Sequence, residues 1–189
     1  MDASSEITEL VAGLSQISDD VRTKFGRLSA EQINWKPGPE SWSVGQCLDH
    51  LINSNRPYIT IVDETLSGQK STRVIERIPI LPGFFGKLLI KSLDPKSVRK
   101  LKAPTKFQPA SSNVPGTIVS DFVKQQAEVA ARMEAAKRIS PERIIITSPA
   151  LSVITYSMLD AFRVIVTHER RHFAQAERVM QNPHFPGAI

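Results

Sequence analysis

Ser43-Val44-Gly45-Gln46-Cys47-Leu48-Asp49-His50-Leu51-Ile52 is the stretch on which the fold turns. Ser43 with Gln46 three residues on is a capping box, in which each side chain satisfies a backbone N–H that the first helical turn leaves open. Beyond it Val44, Leu48, Leu51, Ile52, Ile59, Val62 and Leu66 recur at steps that line one side of a helix. The pattern predicts a helix from Ser43 to Leu66, stopped at Ser67-Gly68. Pro57 is expected to kink it or to end its first part, because proline lacks an N–H and clashes with the preceding turn.

The same periodicity extends outward on both sides. Ile7, Leu10, Val11, Leu14, Ile17, Val21 and Phe25 predict a helix over about 4–25, capped by Ser5 and followed by Gly26. Ser29 and Gln32 form a second capping box, and Trp35-Lys36-Pro37-Gly38-Pro39 reads as a turn-rich connector. Downstream, Phe122, Val123, Ala127, Ala130 and Met133 mark a helix over about 117–139, broken at Ser140-Pro141-Glu142. Ile144-Ile145-Ile146 suggests a brief extended piece, too short to argue for a sheet. Leu159, Phe162, Ile165, Val166, Phe173, Ala176 and Val179 predict a last helix over about 152–180, ended by Asn182-Pro183.

Between the second and third long helices, residues 69–116 form an irregular excursion punctuated by Pro79, Pro82, Pro95, Pro104, Pro109 and Pro115, with one short amphipathic helix expected over Phe84–Leu93. Insertions of this length are often lids or interface elements. Four long helices predict one all-α domain over 1–189, most simply a four-helix bundle. The long excursion permits a crossover, so strict up-down-up-down order does not follow.

Composition sets the class. The chain has 189 residues, 41% of them hydrophobic and 23% charged, which suits one packed domain. A single cysteine excludes an internal disulfide framework and fits a reducing compartment. Residues 1–18 lack the basic start and apolar block of a secretory signal, and no apolar run approaches the ~20 residues of a membrane span. The expectation is a cytoplasmic protein without a transmembrane segment. The net charge of +5 is uneven: from Lys70 to Lys106 ten basic residues face Glu76 and Asp94 alone. Such a stripe attracts anionic partners or is simply a solvated surface. Aromatics do not interleave with it as stacking on single strands requires, which argues against a nucleic-acid partner.

The candidate chemistry lies in the histidines. His168-Glu169-Arg170-Arg171-His172 puts two imidazoles four apart on the last helix, about 5–6 Å between Cβ atoms. Both rings could reach one ion at about 2.0–2.1 Å, or be a pair of hydrogen-bonded core histidines. His50 borders the apolar stripe of the second long helix, where it reads either as a boundary residue or as a third ligand from a facing helix. His184, between Pro183 and Pro186, reads as a surface residue. Cys47 reads as a soft fourth ligand, a reactive thiol or a small buried side chain. Trp35 and Trp42 read as anchors of the connector. Arg163, Arg170 and Arg171 read as solvated helix arginines or as receivers of an anionic substrate group. His168-Glu169-x-x-His172 also spells the zincin protease motif, but only 17 residues follow His172. The glycine and histidine of the longer pattern are replaced by Gln175 and Arg178, and Glu177 on the same helix cannot turn to the ion. Glu169 is left as a proton shuttle or as a surface salt bridge to Arg170 or Arg171.

The Trp42-Ser43 cap, His50 seven residues after that serine, the final His168-x-x-x-His172 and the upstream Trp35-Lys36-Pro37 together resemble the DinB/YfiT-like superfamily. The match covers the organisation of nearly the whole chain, with the excursion over 69–116 its least family-like part. The resemblance implies a bundle of up-down-down-up connectivity, often a homodimer, with a divalent ion, commonly zinc or nickel, held by His50, His168 and His172. It implies a metal-dependent enzyme acting on a small-molecule substrate: a thiol S-transferase-like protein using a low-molecular-weight thiol, or a hydrolase-like one. Three neutral imidazoles would leave an open position for such chemistry. The alternative is a non-catalytic helical bundle that binds a partner or stress ligand, its histidines structural or vestigial.

Overall fold

The computed structural model describes residues 2–78, 90–91, 107–109 and 113–187. Its long helices are α1 (Ala3–Phe25), α3 (Val44–Leu66), α4 (Ile118–Ala136) and α5 (Met158–Met180), with a short α2 (Ala30–Asn34) between the first two. The protein is mostly helical, in agreement with the all-α class.

Local chemistry sets the helix ends. Both capping boxes form, Ser29 with Gln32 and Ser43 with Gln46. The cap of α1 is Asp2 rather than Ser5: its carboxylate accepts the Ser5 N–H at 2.7 Å, and a negative charge is favoured at the positive end of the helix dipole. Helix α3 continues through Pro57 to Leu66, so the proline does not end its first part. Gly68 then takes φ +72°, a left-handed conformation that glycine adopts without steric cost, and terminates the helix.

The start of the last helix also departs from expectation. The last helix begins at Met158, because residues 155–157 belong to a strand. Ile145–Thr147 (β1) and Thr155–Ser157 (β2) pair antiparallel, Ile146 opposite Tyr156. Each strand is too short to announce itself by alternation; the partner, a few residues on, satisfies the backbone that neither could satisfy alone. Ser157, the last residue of β2, also caps α5 by accepting the Asp160 N–H at 3.0 Å.

Helices α1 and α3 each pack against both α4 and α5. Paired residues give the directions. Glu6 with Arg163 and Lys24 with Glu177 make α1 and α5 parallel. Ile52 with Gln125 and Asp63 with Arg132 make α3 and α4 parallel. Tyr58 meets Tyr156, just before α5, at 2.7 Å, while His50 meets His168 further along it, so α3 and α5 are antiparallel. Lys137, after the end of α4, reaches Thr8 near the start of α1. Helices α1 and α5 therefore run one way, and α3 and α4 the other. The core between them includes Ile7, Leu14, Phe25, Leu48, Leu51, Phe122, Met133, Tyr156 and Phe162, all at most 1% exposed.

The excursion leaves α3 under restraint. A 3₁₀ turn at Val74–Arg77 buries Glu76, whose Oε1 accepts both the N–H and the hydroxyl of Thr147 at 2.9 Å, and whose Oε2 accepts from Lys70 Nζ at 2.6 Å. The short helix expected over Phe84–Leu93 lies, apart from helical residues 90–91, outside the described residues. No helix among the described residues is long and apolar enough to cross a membrane.

Burial pushes the Glu76 carboxyl up, but Lys70, Thr147 and the Arg73 N–H outweigh it and leave it below its ordinary value. The carboxylate thus stabilises the fold fully above the unfolded-state pKa, and that contribution fades as pH falls through the lowered folded value. Glu76→Ala, which strands the buried Thr147 N–H and hydroxyl and the partly buried Lys70, should cost about 3 kcal/mol near neutrality, read as a lower urea midpoint at unchanged slope. The gap to wild type should narrow in acid.

Candidate metal centre

Helices α3 and α5, antiparallel and in contact, bring the early part of one beside the late part of the other. His50 comes from the second turn of α3, and His168 and His172 from successive turns of α5. Their rings form a closed triangle with centroids 4.9 Å (His50–His168), 4.5 Å (His50–His172) and 4.6 Å (His168–His172) apart. One nitrogen from each lies within 4.8 Å of the others. Among the described residues no other three His, Cys, Asp or Glu donors gather so closely.

The hydrogen bonds assign the tautomer of His50. Its Nδ1 lies 2.5 Å from the carbonyl oxygen of Phe107, and a carbonyl only accepts, so Nδ1 carries the hydrogen. In a neutral ring, Nε2 then holds a free lone pair, and it faces His168 Nε2 at 3.1 Å. Two nitrogens about 2.0–2.1 Å from a common ion stand about 3.1 Å apart when the angle at the ion is near ~100°. Without an ion, the same distance requires His168 Nε2 to donate to His50.

Burial is the main influence on all three rings. It lowers the pKa of His50 against the opposing pull of the Phe107 carbonyl and Asp49. His168 and His172 are pushed well below the ordinary histidine value by burial and then by the neighbouring rings and Arg171. All three are therefore neutral at pH 7, the form that donates to a metal. His172 Nδ1 is buried without a hydrogen bond of good geometry, although Gln175 pulls weakly in favour of the protonated ring. His168 alone of the three keeps partial solvent exposure as a residue. The donors and their spacing fit a metal ion, for which neutral imidazole is a natural ligand.

Other candidates fall differently. Trp42, expected only to anchor the connector, stacks on His172 (5.5 Å, 22°) and leans on His50 (4.9 Å), making a wall of the cluster. Trp35 packs edge-on against Phe185 and is an anchor, as expected. Cys47 is fully buried, lies outside the group of convergent donors, and burial pushes its thiol up to about 12. It is the small buried side chain, not a reactive thiol. Arg163, though partly exposed, is not a free solvated arginine, because Glu6 and Asp160 hold it in ion pairs. His184 is exposed.

Glu169 departs furthest from the surface salt bridge that the sequence allowed. It is 0% exposed, and Oε1 accepts from Asn55 Nδ2 and Gln126 Nε2, each at 2.9 Å. Burial raises its carboxyl to about 7 against the pull of those two amides. Gln125 extends the network by donating to the Ile52 carbonyl at 2.9 Å. This buried polar seam joins α3, α4 and α5 beside the histidines. Its sequence signal is the set of polar positions, Ser54-Asn55 and Gln125-Gln126, inside otherwise amphipathic helices.

A family model described as the DinB superfamily matches residues 14–176. A curated relative, the uncharacterized protein YuaE of Bacillus subtilis (strain 168), is 27% identical over 164 residues, covering 82% of this chain and 86% of that protein. No solved structure matches at a significant level.

Glu169→Ala should leave the two amides unpaired, at about 1–3 kcal/mol each, whereas Glu169→Gln keeps an acceptor and should recover at least half of the loss in a urea melt. A thiol reagent should leave native Cys47 unmodified and titrate it fully once the chain is unfolded.

Proposed function

This chain belongs to the DinB superfamily, and from that premise we propose that it is a metal-dependent enzyme whose centre is a divalent ion held by His50, His168 and His172. The observation that carries the reading is the convergence of three neutral imidazoles, one with its tautomer set by a backbone carbonyl so that Nε2 faces inward. DinB-like proteins are metal-associated, and the donor set suits zinc or nickel.

A divalent ion with three neutral donors supplies Lewis acidity with an open coordination position. The chain's own residues do the rest. We place entry of a small-molecule substrate beside His168, the one residue of the three that keeps partial exposure. Trp42 covers one flank of the rings and excludes water from it. Glu169, committed to Asn55 and Gln126, is proposed as a positioning residue that holds α3, α4 and α5 in register, in place of the proton shuttle expected from sequence. The reaction proposed is thiol S-transfer, with a low-molecular-weight thiol meeting an electrophile, or hydrolysis. We further propose that each chain is one domain and that two chains form a cytoplasmic homodimer; the exposed Val74 and Val153, on the 3₁₀ turn and the hairpin loop, supply apolar surface for the contact between copies.

A second reading rests on the 3.1 Å approach of His50 and His168, which one hydrogen bond also explains. In that reading the protein is a non-catalytic bundle and the histidines form a metal-free core cluster.

Elemental analysis of protein purified without a histidine tag separates the two. We expect about one divalent ion per chain, lost in His50→Ala and in His168→Ala. Absence of bound metal, together with no affinity for added zinc or nickel at neutral pH, would sink the enzyme. With metal present, consumption of a thiol–electrophile pair or of an activated ester should fall at least 100-fold in His50→Ala.

A further inference from the structure

Phe107 belongs to the excursion, 57 residues after the histidine it touches. Its side chain is only 7% exposed, although it lies in the least helix-patterned part of the chain. Further along, the return limb is tied down at Val114, whose N–H donates to Asn34 Oδ1 at 2.6 Å and whose carbonyl accepts from Asn34 Nδ2 at 3.0 Å. Val114 is itself buried against the first turn of α3: a Cβ added at Gly45 would lie 3.1 Å from Val114 Cβ and 2.8 Å from Ile33 Cγ2. The limb is thus seated on the same end of α3 that carries His50.

Resting on the metal-centre reading above, we propose that Phe107 is a positioning residue for that centre: its buried ring seats residues 107–109 so that its carbonyl holds His50 ready to donate, and ion capture and seating reinforce each other. The physical ground is twofold. A histidine ligand is oriented by the partner of its second nitrogen, and losing such a partner commonly weakens metal affinity about 10–100-fold. If the seated limb favours the ion, the ion must favour the seated limb by the same factor. The carbonyl cannot be removed by substitution, but the ring that places it can.

The test is zinc affinity by competition with a chromophoric chelator at fixed pH. It is run on wild type, Phe107→Ala, Phe107→Leu and Met133→Ala, the last truncating a buried residue near the far end of α4. Phe107→Ala should bind zinc about tenfold more weakly. Phe107→Leu, which still fills the seat, should recover most of the affinity, and Met133→Ala should stay within about twofold of wild type. In wild type, zinc should also slow hydrogen exchange in the peptide that carries residues 107–109, and not do so in His50→Ala. Equal affinity in Phe107→Ala and wild type overturns the proposal, as does an equal loss in Met133→Ala. Exchange at 107–109 that ignores zinc overturns it even if Phe107→Ala does not fold. If wild type binds no zinc, the metal-centre reading falls and this proposal with it, an outcome distinct from wild-type binding that Phe107→Ala leaves unchanged.

Discussion

Everything at the candidate centre depends on three imidazoles being held together and uncharged in a desolvated pocket between two antiparallel helices. Protonated rings at centroid separations of 4.5 to 4.9 Å would repel one another where little water screens them. Burial and mutual repulsion act in the same direction, so the arrangement that packs is the one with lone pairs available. The cluster is stable as packing for the same reason that it is suited to a cation.

Holding the rings in place is a matter of helix register. A four-residue step on α5 brings His168 and His172 to one face, but His50 meets them only if α3 does not slide or rotate. Three contacts prevent that. Asn55 and Glu169 join α3 to α5 just beyond the rings, Gln126 adds α4, and the hydroxyls of Tyr58 and Tyr156 meet further down the interface. These groups are buried, and a polar group without its partner in the interior costs more than its bond contributes when made. The penalty for misregister therefore exceeds what apolar packing, tolerant of small slides, would impose. The Glu6–Arg163 pair ties α5 to α1, so the helix bearing two of the rings is restrained from both sides.

Much of this could be read from the residues, and the exceptions share a cause. Helix spans, both capping boxes, the Gly68 stop and the His168–His172 pair follow from periodicity, cap chemistry and spacing, which are local; that His50 joins the pair is implied by the family resemblance and not by those local patterns. What escaped was non-local. Three-residue strands do not alternate long enough to be seen, so residues 155–157 were absorbed into the last helix. Glu169 and Arg163 look like solvated charges when only their sequence neighbours are considered; Asn55 and Gln126, or Glu6, reach them from other helices. The Phe107 contact left no trace in the sequence because it is made by a backbone carbonyl, which every residue type possesses.

The donor set constrains the chemistry further. Among the described residues no carboxylate or thiolate joins the three rings, since Glu169 is committed to two amides and the Cys47 thiol is buried and held protonated. A divalent ion taken up there would keep its whole charge, and Arg171, which already depresses protonation of His168 and His172, adds to the positive field. Such a site favours a ligand that arrives as an anion or becomes one on binding, a demand met by a thiol and by an oxygen acid. Selectivity between them then falls to the surroundings of the rings. Trp42 sets its ring against His172 and His50, the Phe107 carbonyl meets His50 Nδ1, and His168 is the one of the three that keeps partial exposure.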